Sequence, residues 1–573
     1  MLEYLIIFIA VLAFLISTNF IQSIKHKKKV RDRIRNSWAA LPENDFDEYD
    51  FKSFSKFFNS REKKSTEMII DDITWNDLEM DSFYNLINNT MTSLGDSMLY
   101  CILRTPLFDR HKFADRIQTI DYWTEHKDDR EKTQAVLAGT GKFRPSRIDS
   151  LIDKCGFLKL DNQWVFKLLS FFPLLSLPLL FINPGYGVLW AVFGFGINAL
   201  YYTAKVKELF LGLEVVTQAI KIINLAKKLY KNKPNGLNKK YAELNNSFMK
   251  LRPLLRKGSF SSALVGFTGN IIVDMMAIFY MVFLIDLWRY QSSIMFIETH
   301  YEDFVHLIEI IGEIDATIGI ASYRECVKDK KNSGLCCKPE IMWDPSDNNF
   351  TIVAEDVVHP LIKDCMPNSV MSVKPILVTG SNASGKSTYL KTIAINTLMA
   401  HSLGFCLAKN WISIPLFPIT SMALRDSIIN EESYFIAEIK SLKRMFSRVD
   451  NKITCLCVID EVLRGTNTIE RIAASSQVLF ALAQKNTCIF AATHDIELTY
   501  ILSDLFENKH FEEEISYNDI RFDYRIKDGR ATSRNAIKLL KIMGFGEDVI
   551  KNANEAVEAF ERQNKWTKIE GVN

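Results

Sequence analysis

Charge of one sign is the first thing this 573-residue chain lacks: 70 lysines and arginines stand against 68 aspartates and glutamates, a formal net charge of +2. A whole-molecule field that would draw in a polyanion is thereby excluded, and any basic binding surface must be local. Metal-ligand spacing is missing too. The ten cysteines include no Cys-x-x-Cys and no Cys/His cluster, and the close sets are Cys336-Cys337 and Cys455-x-Cys457. This argues against a zinc module and for free thiols in a reducing compartment. Short-period repeats and low-complexity segments are absent, and the length suits three or four folded domains.

Long uncharged runs, in contrast, are present. "YLIIFIAVLAFLISTNFI", Tyr4 to Ile21, has the length of a membrane-crossing helix, with Glu3 before it and Lys25, Lys27, Lys28, Lys29, Arg31 and Arg33 after it. That charge order is the reverse of a secretory leader, and the positive-inside bias places the N-terminus outside and the remainder in the cytoplasm. A second apolar block, Leu168 to Tyr202, is interrupted by "INPGYG" at 182–187, and no charged residue occurs between Lys167 and Lys205. The expectation is a helical hairpin in the membrane that returns the chain to the cytoplasmic side, giving a multi-pass cell-membrane protein. A third apolar stretch, Ser262 to Tyr290, carries Asp274 and Asp286, carboxylates that membrane spans avoid, and is expected to be a buried helix of the soluble part.

From Asn349 onward, short apolar runs alternate with helical patterns, as in a doubly wound α/β domain. Within it "GSNASGKS", Gly380 to Ser387, follows an apolar strand and opens a helix, the context a phosphate-binding loop requires. Gly380 and Gly385 let the backbone curl, and the N–H groups along Ser381, Asn382, Ala383, Ser384 and Thr388 face an anion. Lys386 reaches the terminal phosphates, and Ser387 offers a hydroxyl to Mg²⁺. "CLCVIDE", Cys455 to Glu461, ends a strand in two acids: Asp460 suits the Mg²⁺ shell, and Glu461 suits the activation of water. "IFAATHDIEL", Ile489 to Leu498, ends another strand at His494, where an imidazole can sense a γ-phosphate. ATP and Mg²⁺ are the expected ligands.

In order and spacing, "TGSNASGKSTYLKT", "SYFIAEI", "VIDEVLRGTNT" and "ATHDIEL" resemble the four ATPase motifs of the MutS family. The Arg464-Gly465-Thr466 run, and a Ser433, Phe435, Glu438 segment where transporters carry an LSGGQ-type signature, separate the chain from ABC transporters. The likeness extends to Asp72–Asp109, with its Leu-Glu, Thr-x-x-Gly and Pro-Leu landmarks, to Ile310–Ala321, to "VHPLI" at Val358–Ile362 and to the tail Lys527–Ala553. It implies an α/β phosphate-loop ATPase domain of MutS type with an all-α core and lever domain. It further implies a homodimer in which Ser433 of one subunit approaches the γ-phosphate held by the other; the residues alone allow Ser433 to be a helix N-cap instead. DNA is the ligand the resemblance implies.

The expected organisation is an anchor at 1–24, a core-like helical segment at 25–162, the hairpin at 163–204, a lever segment at 205–345 and the ATPase with its dimerisation tail at 346–573. Departures from the family pattern are as informative. No mismatch-reading domain with a Phe-x-Glu wedge precedes the core, the clamp region is short, and the aromatic adenine platform is not identifiable around "DCMPNSV". Two functions stay open: a membrane-anchored MutS-like ATPase acting on DNA, with "KNKPNGLNKK" at Lys231–Lys240 as candidate phosphate contacts, or a membrane-tethered ATP-driven switch acting on a protein partner.

Overall fold

The computed structural model describes residues 25, 28–62, 68–142, 159–257, 271–329, 334–344, 350–381, 384–422, 434–449, 452–464, 466–516, 519–531 and most of 537–568. The expected anchor at Tyr4–Ile21 lies outside these residues, as do Asn382, Ala383, Ser433 and Gly465. The chain divides into two compact units, one of 1–67, 84–102 and 114–326, the other of 68–83, 103–113 and 327–573. The segments 68–83 and 103–113, read from sequence within the helical part at 25–162, pack in the second unit.

The first unit is helical. Its hairpin is built from α1 (Gln163–Phe171), a 3-10 turn (Phe172–Leu175), α2 (Ser176–Ile182) and α3 (Pro184–Lys231). Asn183 makes the reversal: its side chain accepts from the N–H groups of Gly185 and Tyr186, and Pro184 opens the helix where no N–H is needed. By length and composition, Gln163–Ile182 and Pro184–Lys205 can each cross a membrane. The second arm does not stop there. Nothing between Thr203 and Lys207 breaks a helix, so the arm and the expected lever are one 48-residue rod, about 70 Å long.

The rod packs against α4 (Asn238–Leu251), α5 (Leu254–Lys257), α6 (Ile271–Val282) and α7 (Ile285–Thr299), and α8 (Tyr301–Lys328) follows. Against the sequence reading, the third apolar stretch is not one buried helix. It breaks at Leu284, which is left-handed at φ +51°; α7 is buried along one side, while Met275, Met276, Ile278 and Phe279 of α6 are exposed. Elsewhere in this unit the Thr-x-x-Gly landmark has a physical cause. The buried Asp315 carboxylate accepts from the N–H groups of Met91 and Thr92 and the Thr92 hydroxyl, and a side chain at Gly95 would collide with it.

Among the described residues the second unit holds twelve strands: β1 (Glu340–Ile341), β2 (Ile352–Val357), β3 (Asn368–Ser372), β4 (Ile376–Thr379), β5 (Asn410–Ser413), β6 (Leu416–Ser421), β7 (Thr454–Asp460), β8 (Thr487–Ala492), β9 (Glu507–His510), β10 (Glu513–Ser516), β11 (Asp519–Phe522) and β12 (Lys527–Asp528). The main sheet has the order β12-β9-β4-β8-β7-β6, parallel except for β12. A smaller sheet, β1-β5-β2-β3, and the hairpin β10-β11 complete it. Residues Ile376–Thr379 of β4 are all buried, as befits a central parallel strand covered on both faces.

Strand β6 is buried although it lies at the sheet edge, because the segment at 71–77 covers it. The Asp77 carboxylate accepts from the Thr420 hydroxyl (2.6 Å) and the Met422 N–H (3.1 Å), and Arg444 pairs with Asp71. This covering removes an edge that would otherwise template pairing with another chain.

Two histidines are built into this core as neutral acceptors. His401 Nε2 accepts from the Leu416 N–H and His359 Nδ1 from the Leu361 N–H, and burial holds both imidazoles down to about 4. Because these values lie below the ordinary 6.5, the stability they contribute is complete above that pH and is lost as pH falls toward 4. Each is worth on the order of 3 kcal/mol at full protonation. The melting temperature of the second unit is expected to drop between pH 7 and 4.5, and His359→Gln, whose amide can still accept, should show a shallower drop; equal slopes would contradict the assignment.

Candidate nucleotide site

Three neighbouring parallel strands end together. In the register of the main sheet, Val378 of β4 lies beside Ala492 of β8, and Ala492 lies beside Asp460 of β7. The loops that follow must therefore emerge side by side at the carboxyl ends, where α/β sheets bind their ligands. Bonds across the ends continue the ladder: Thr493 N–H donates to Val378 O (3.0 Å) and Glu461 N–H to Ala492 O (3.0 Å).

The loop after β4 turns at Gly380 (φ +146°) and Gly385 (φ +107°), both in the region that favours glycine. A Cβ at Gly380 would stand 2.9 Å from Phe511 O and 3.0 Å from Ser384 Oγ. Helix α9 (Lys386–Leu403) starts here, and nearly all of it is buried. Lys386 Nζ donates to Gly380 O (2.8 Å) and Ser381 O (2.7 Å), closing the loop on itself. Burial lowers this ammonium to about 8, against the opposing effect of Asp460. Ser384 Oγ is buried and has no hydrogen-bond partner among the described residues, and Ser381 Oγ donates to Glu513 (2.7 Å).

After β7 the chain is bent out of ordinary conformation. Glu461 (φ +57°) and Leu463 (φ +61°) are left-handed without being glycine, which costs on the order of 1–2 kcal/mol each and persists only when neighbours enforce it. The enforcing group is Glu438 on α10 (Tyr434–Arg448), whose Oε1 accepts from Leu463 N–H (2.5 Å) and Arg464 N–H (3.3 Å). The turn aims the Glu461 carboxylate at His494 Nε2, 2.6 Å away, and Arg464 closes on its other oxygen. Burial, then the Lys386 and Arg464 charges, hold the His494 imidazole below its ordinary value, so it is neutral and donates to Glu461. Asp495 ties the His494 turn to α11 (Thr468–Ala483) through two bonds from Arg471, 2.9 and 2.6 Å.

Two cavities flank the loop. One of about 370 Å³ is lined by Met366, Asn368, Gly385, Thr388, Phe511 and Tyr524, among others. Asn368 pins its far wall, donating to Tyr524 O (2.9 Å) and accepting from Ile526 N–H (2.8 Å). The sequence reading missed Tyr524, which is far downstream of the loop and joins it only through folding; the small signal was Asn368 within "DCMPNSV". The other cleft, about 590 Å³, brings Ser387 and Asp460 together with Lys391, Asp77 and Glu79. Lys391 pairs with Glu79 at 2.7 Å.

These donors fit Mg²⁺. Among the described residues no cluster of three His, Cys, Asp or Glu could hold a metal. One carboxylate and one hydroxyl on an open cleft are the sparse oxygen set of an ion that takes its remaining ligands from phosphates and water. The buried ammonium of Lys386 and the unpartnered Ser384 hydroxyl likewise fit a phosphate group. Of the site residues expected from sequence, the fold gathers Gly380, Ser381, Ser384, Gly385, Lys386, Ser387, Asp460, Glu461 and His494, with Thr388 on the adjacent cavity; Asn382, Ala383 and Ser433 lie outside the described residues.

Comparison with known proteins bears on the same region. Residues 376–561 match the family described as MutS domain V. This region is of the MutS domain V type. It is 27% identical over 272 residues to the DNA mismatch repair protein MutS of Aquifex pyrophilus, covering 45% of this chain and 31% of that protein. It is 25% identical over 292 residues to the protein of the same name from Streptococcus pyogenes serotype M1, covering 48% and 33%. The matched region thus spans about a third of these relatives' length. Glu438→Ala should free the amides of Leu463 and Arg464, speeding their hydrogen exchange about tenfold or more while amides of β8 stay unchanged. Unaltered exchange at 463 and 464 would show that Glu438 does not hold the turn.

Proposed function

We propose that this chain is a membrane-anchored, Mg²⁺-dependent ATPase of MutS type that works as a homodimer, with DNA as its ligand. The observation that carries the catalytic half is the convergence of Lys386, Asp460 and the Glu461–His494 pair (2.6 Å) at the ends of three adjacent strands. Lys386 supplies charge to the terminal phosphates. Ser387 and Asp460 would hold Mg²⁺, which when bound offsets charge on the phosphate oxygens. Glu461 accepts a proton from the attacking water, and neutral His494 orients that carboxylate while lying near the phosphate loop. The cavity walled by Tyr524, Met366 and Phe511 takes the base.

Dimerisation is supported by the tail helix α12 (Glu547–Gln563) and the residues before it, where Met543, Phe545 and Val549 are exposed. Membrane anchoring is supported by the hairpin, whose Phe181 is 92% and Leu189 66% exposed. The DNA contact suggested at Lys231–Lys240 is partly committed elsewhere: Lys240 pairs with Glu313 at 2.8 Å and Lys239 with Asp115 at 3.5 Å. That commitment favours a second reading, in which the nucleotide cycle acts on a protein partner at the membrane.

Glu461→Gln is expected to keep ATP binding and lose roughly 100- to 10,000-fold in turnover. Tyr524→Ala should weaken ATP binding about tenfold or more with little change in the maximal rate, since stacking a base is worth about 1–3 kcal/mol. Full turnover in Glu461→Gln would refute the assignment of the base. The ligand is decided by measuring ATP hydrolysis by the full-length dimer with and without duplex DNA at two salt concentrations. Stimulation that fades with salt supports DNA, and indifference to DNA at both supports the protein partner.

A further inference from the structure

We propose that α6 is a third lipid-embedded segment, lying beside the hairpin and entering the bilayer from the same side; the inference rests on the membrane reading of the hairpin and adds to it. The placement follows from three contacts along the rod α3. Asn198 Nδ2 donates to Val282 O (2.7 Å), Tyr202 Oη to Asp286 (3.1 Å), and a side chain on Gly212 would collide with Tyr290. The partners rise together in sequence, 198 with 282, 202 with 286 and 212 with 290. Hence α7 runs parallel to α3, and α6, which also packs on the rod, meets it at Asn198 in its apolar first half.

Asn198 joins all three elements, because the same amide also donates to Leu169 O of α1 at 2.8 Å. In a segment that has no charged residue from 168 to 204, a fully buried amide whose NH2 group donates to carbonyls of two neighbouring elements is how polar donors are accommodated within apolar surroundings. Above it the surface is hydrocarbon on every member. Phe171, Leu177, Phe181, Leu189 and Val192 are exposed on the hairpin, and Met275 (66%), Met276, Ile278 and Phe279 (54%) on α6.

A belt of the residues that settle at lipid headgroups marks the lower limit of this surface. Lys167 Nζ stands 5.4 Å over the Trp288 ring, Trp288 Nε1 donates to Ser170 Oγ (3.3 Å), and the Arg289 guanidinium lies 4.9 Å over Tyr280. Trp164, three residues before Lys167 on α1, is 64% exposed. Tryptophan, tyrosine and long cations gather where hydrocarbon gives way to water. The belt draws on α1 from the hairpin and on both sides of the α6–α7 break, so one boundary serves both.

Two carboxylates argued for a soluble helix. Asp286 is resolved by its position: it is buried at the belt, against the Tyr202 phenol. Asp274 is a single carboxylate in the first turn of α6, set against four exposed apolar side chains that follow it. Because α5 and α7 pack together and both pack on α3, the chain leaves and returns on one side, and the side of the phosphate loop does not change.

The test uses the full-length protein in vesicles containing bromine-labelled lipids, with Phe279→Cys, Met275→Cys, the hairpin reference Leu189→Cys and the exposed α4 control Met249→Cys. Each is labelled with a maleimide fluorophore, and signal from the unsubstituted chain is subtracted. Fluorescence at 275 and 279 is expected to fall at least twofold, as at 189, with no loss at 249. Quenching at 189 without quenching at 275 and 279 would overturn the inference and leave the membrane hairpin standing. Absence of quenching at all three would remove the membrane reading itself.

Discussion

The parallel pairing of β4, β8 and β7 is the constraint on which the candidate site depends. Parallel neighbours end at the same edge of a sheet, so three loops distant in sequence are delivered to one place before any side chain is chosen. Each loop then contributes one kind of chemistry: a cation and hydroxyls from the loop after β4, carboxylates after β7 and an imidazole after β8. The strands can do this because their central residues are apolar and covered on both faces. A polar residue within Ile376–Val378 or Cys455–Ile459 would have no solvent to face.

Given that edge, the turn geometry carries the specificity. Glu461 and Leu463 occupy conformations disfavoured for side chains with a Cβ, and the offsetting energy comes from Glu438, which accepts two main-chain N–H bonds across the turn. Burial holds Glu438 above the usual carboxylate range, and those two bonds oppose the rise. The helix that carries Glu438 begins immediately after Ser433. Any contact that shifts the start of α10 therefore acts on the Glu461 turn through two hydrogen bonds. In the ATPase reading, this is a short physical route from the segment that would meet a second subunit to the base.

Much of this was legible in the sequence. A strand, a glycine-bearing loop and a helix form a local grammar, so Lys386 and Ser387 could be assigned without tertiary information. The two acids and the histidine were legible because each ends an apolar run. What escaped was tertiary. Tyr524 joins the phosphate-loop cavity only because Asn368 bonds the main chain at 524 and 526. The segment at 71–77 looked like part of the helical region, since only its capping pattern is visible in sequence. Its real work is to cover β6 through Asp77. The break at Leu284 has no glycine or proline to announce it.

The rod α3 was misread for a different reason. Composition changes at Lys205 from uncharged to amphipathic, and a change of composition resembles a boundary, but a helix ends only where its hydrogen bonds do. Here the bonds continue from the cap at Asn183 to Lys231, so the arm of the hairpin and the helix that packs on α4 move as one body. An α-helix resists axial change far more than the loops at its ends, and Asn198 and Tyr202 tie its apolar half to α1, α6 and α7. A displacement at one end of the rod is therefore delivered at the other with little loss.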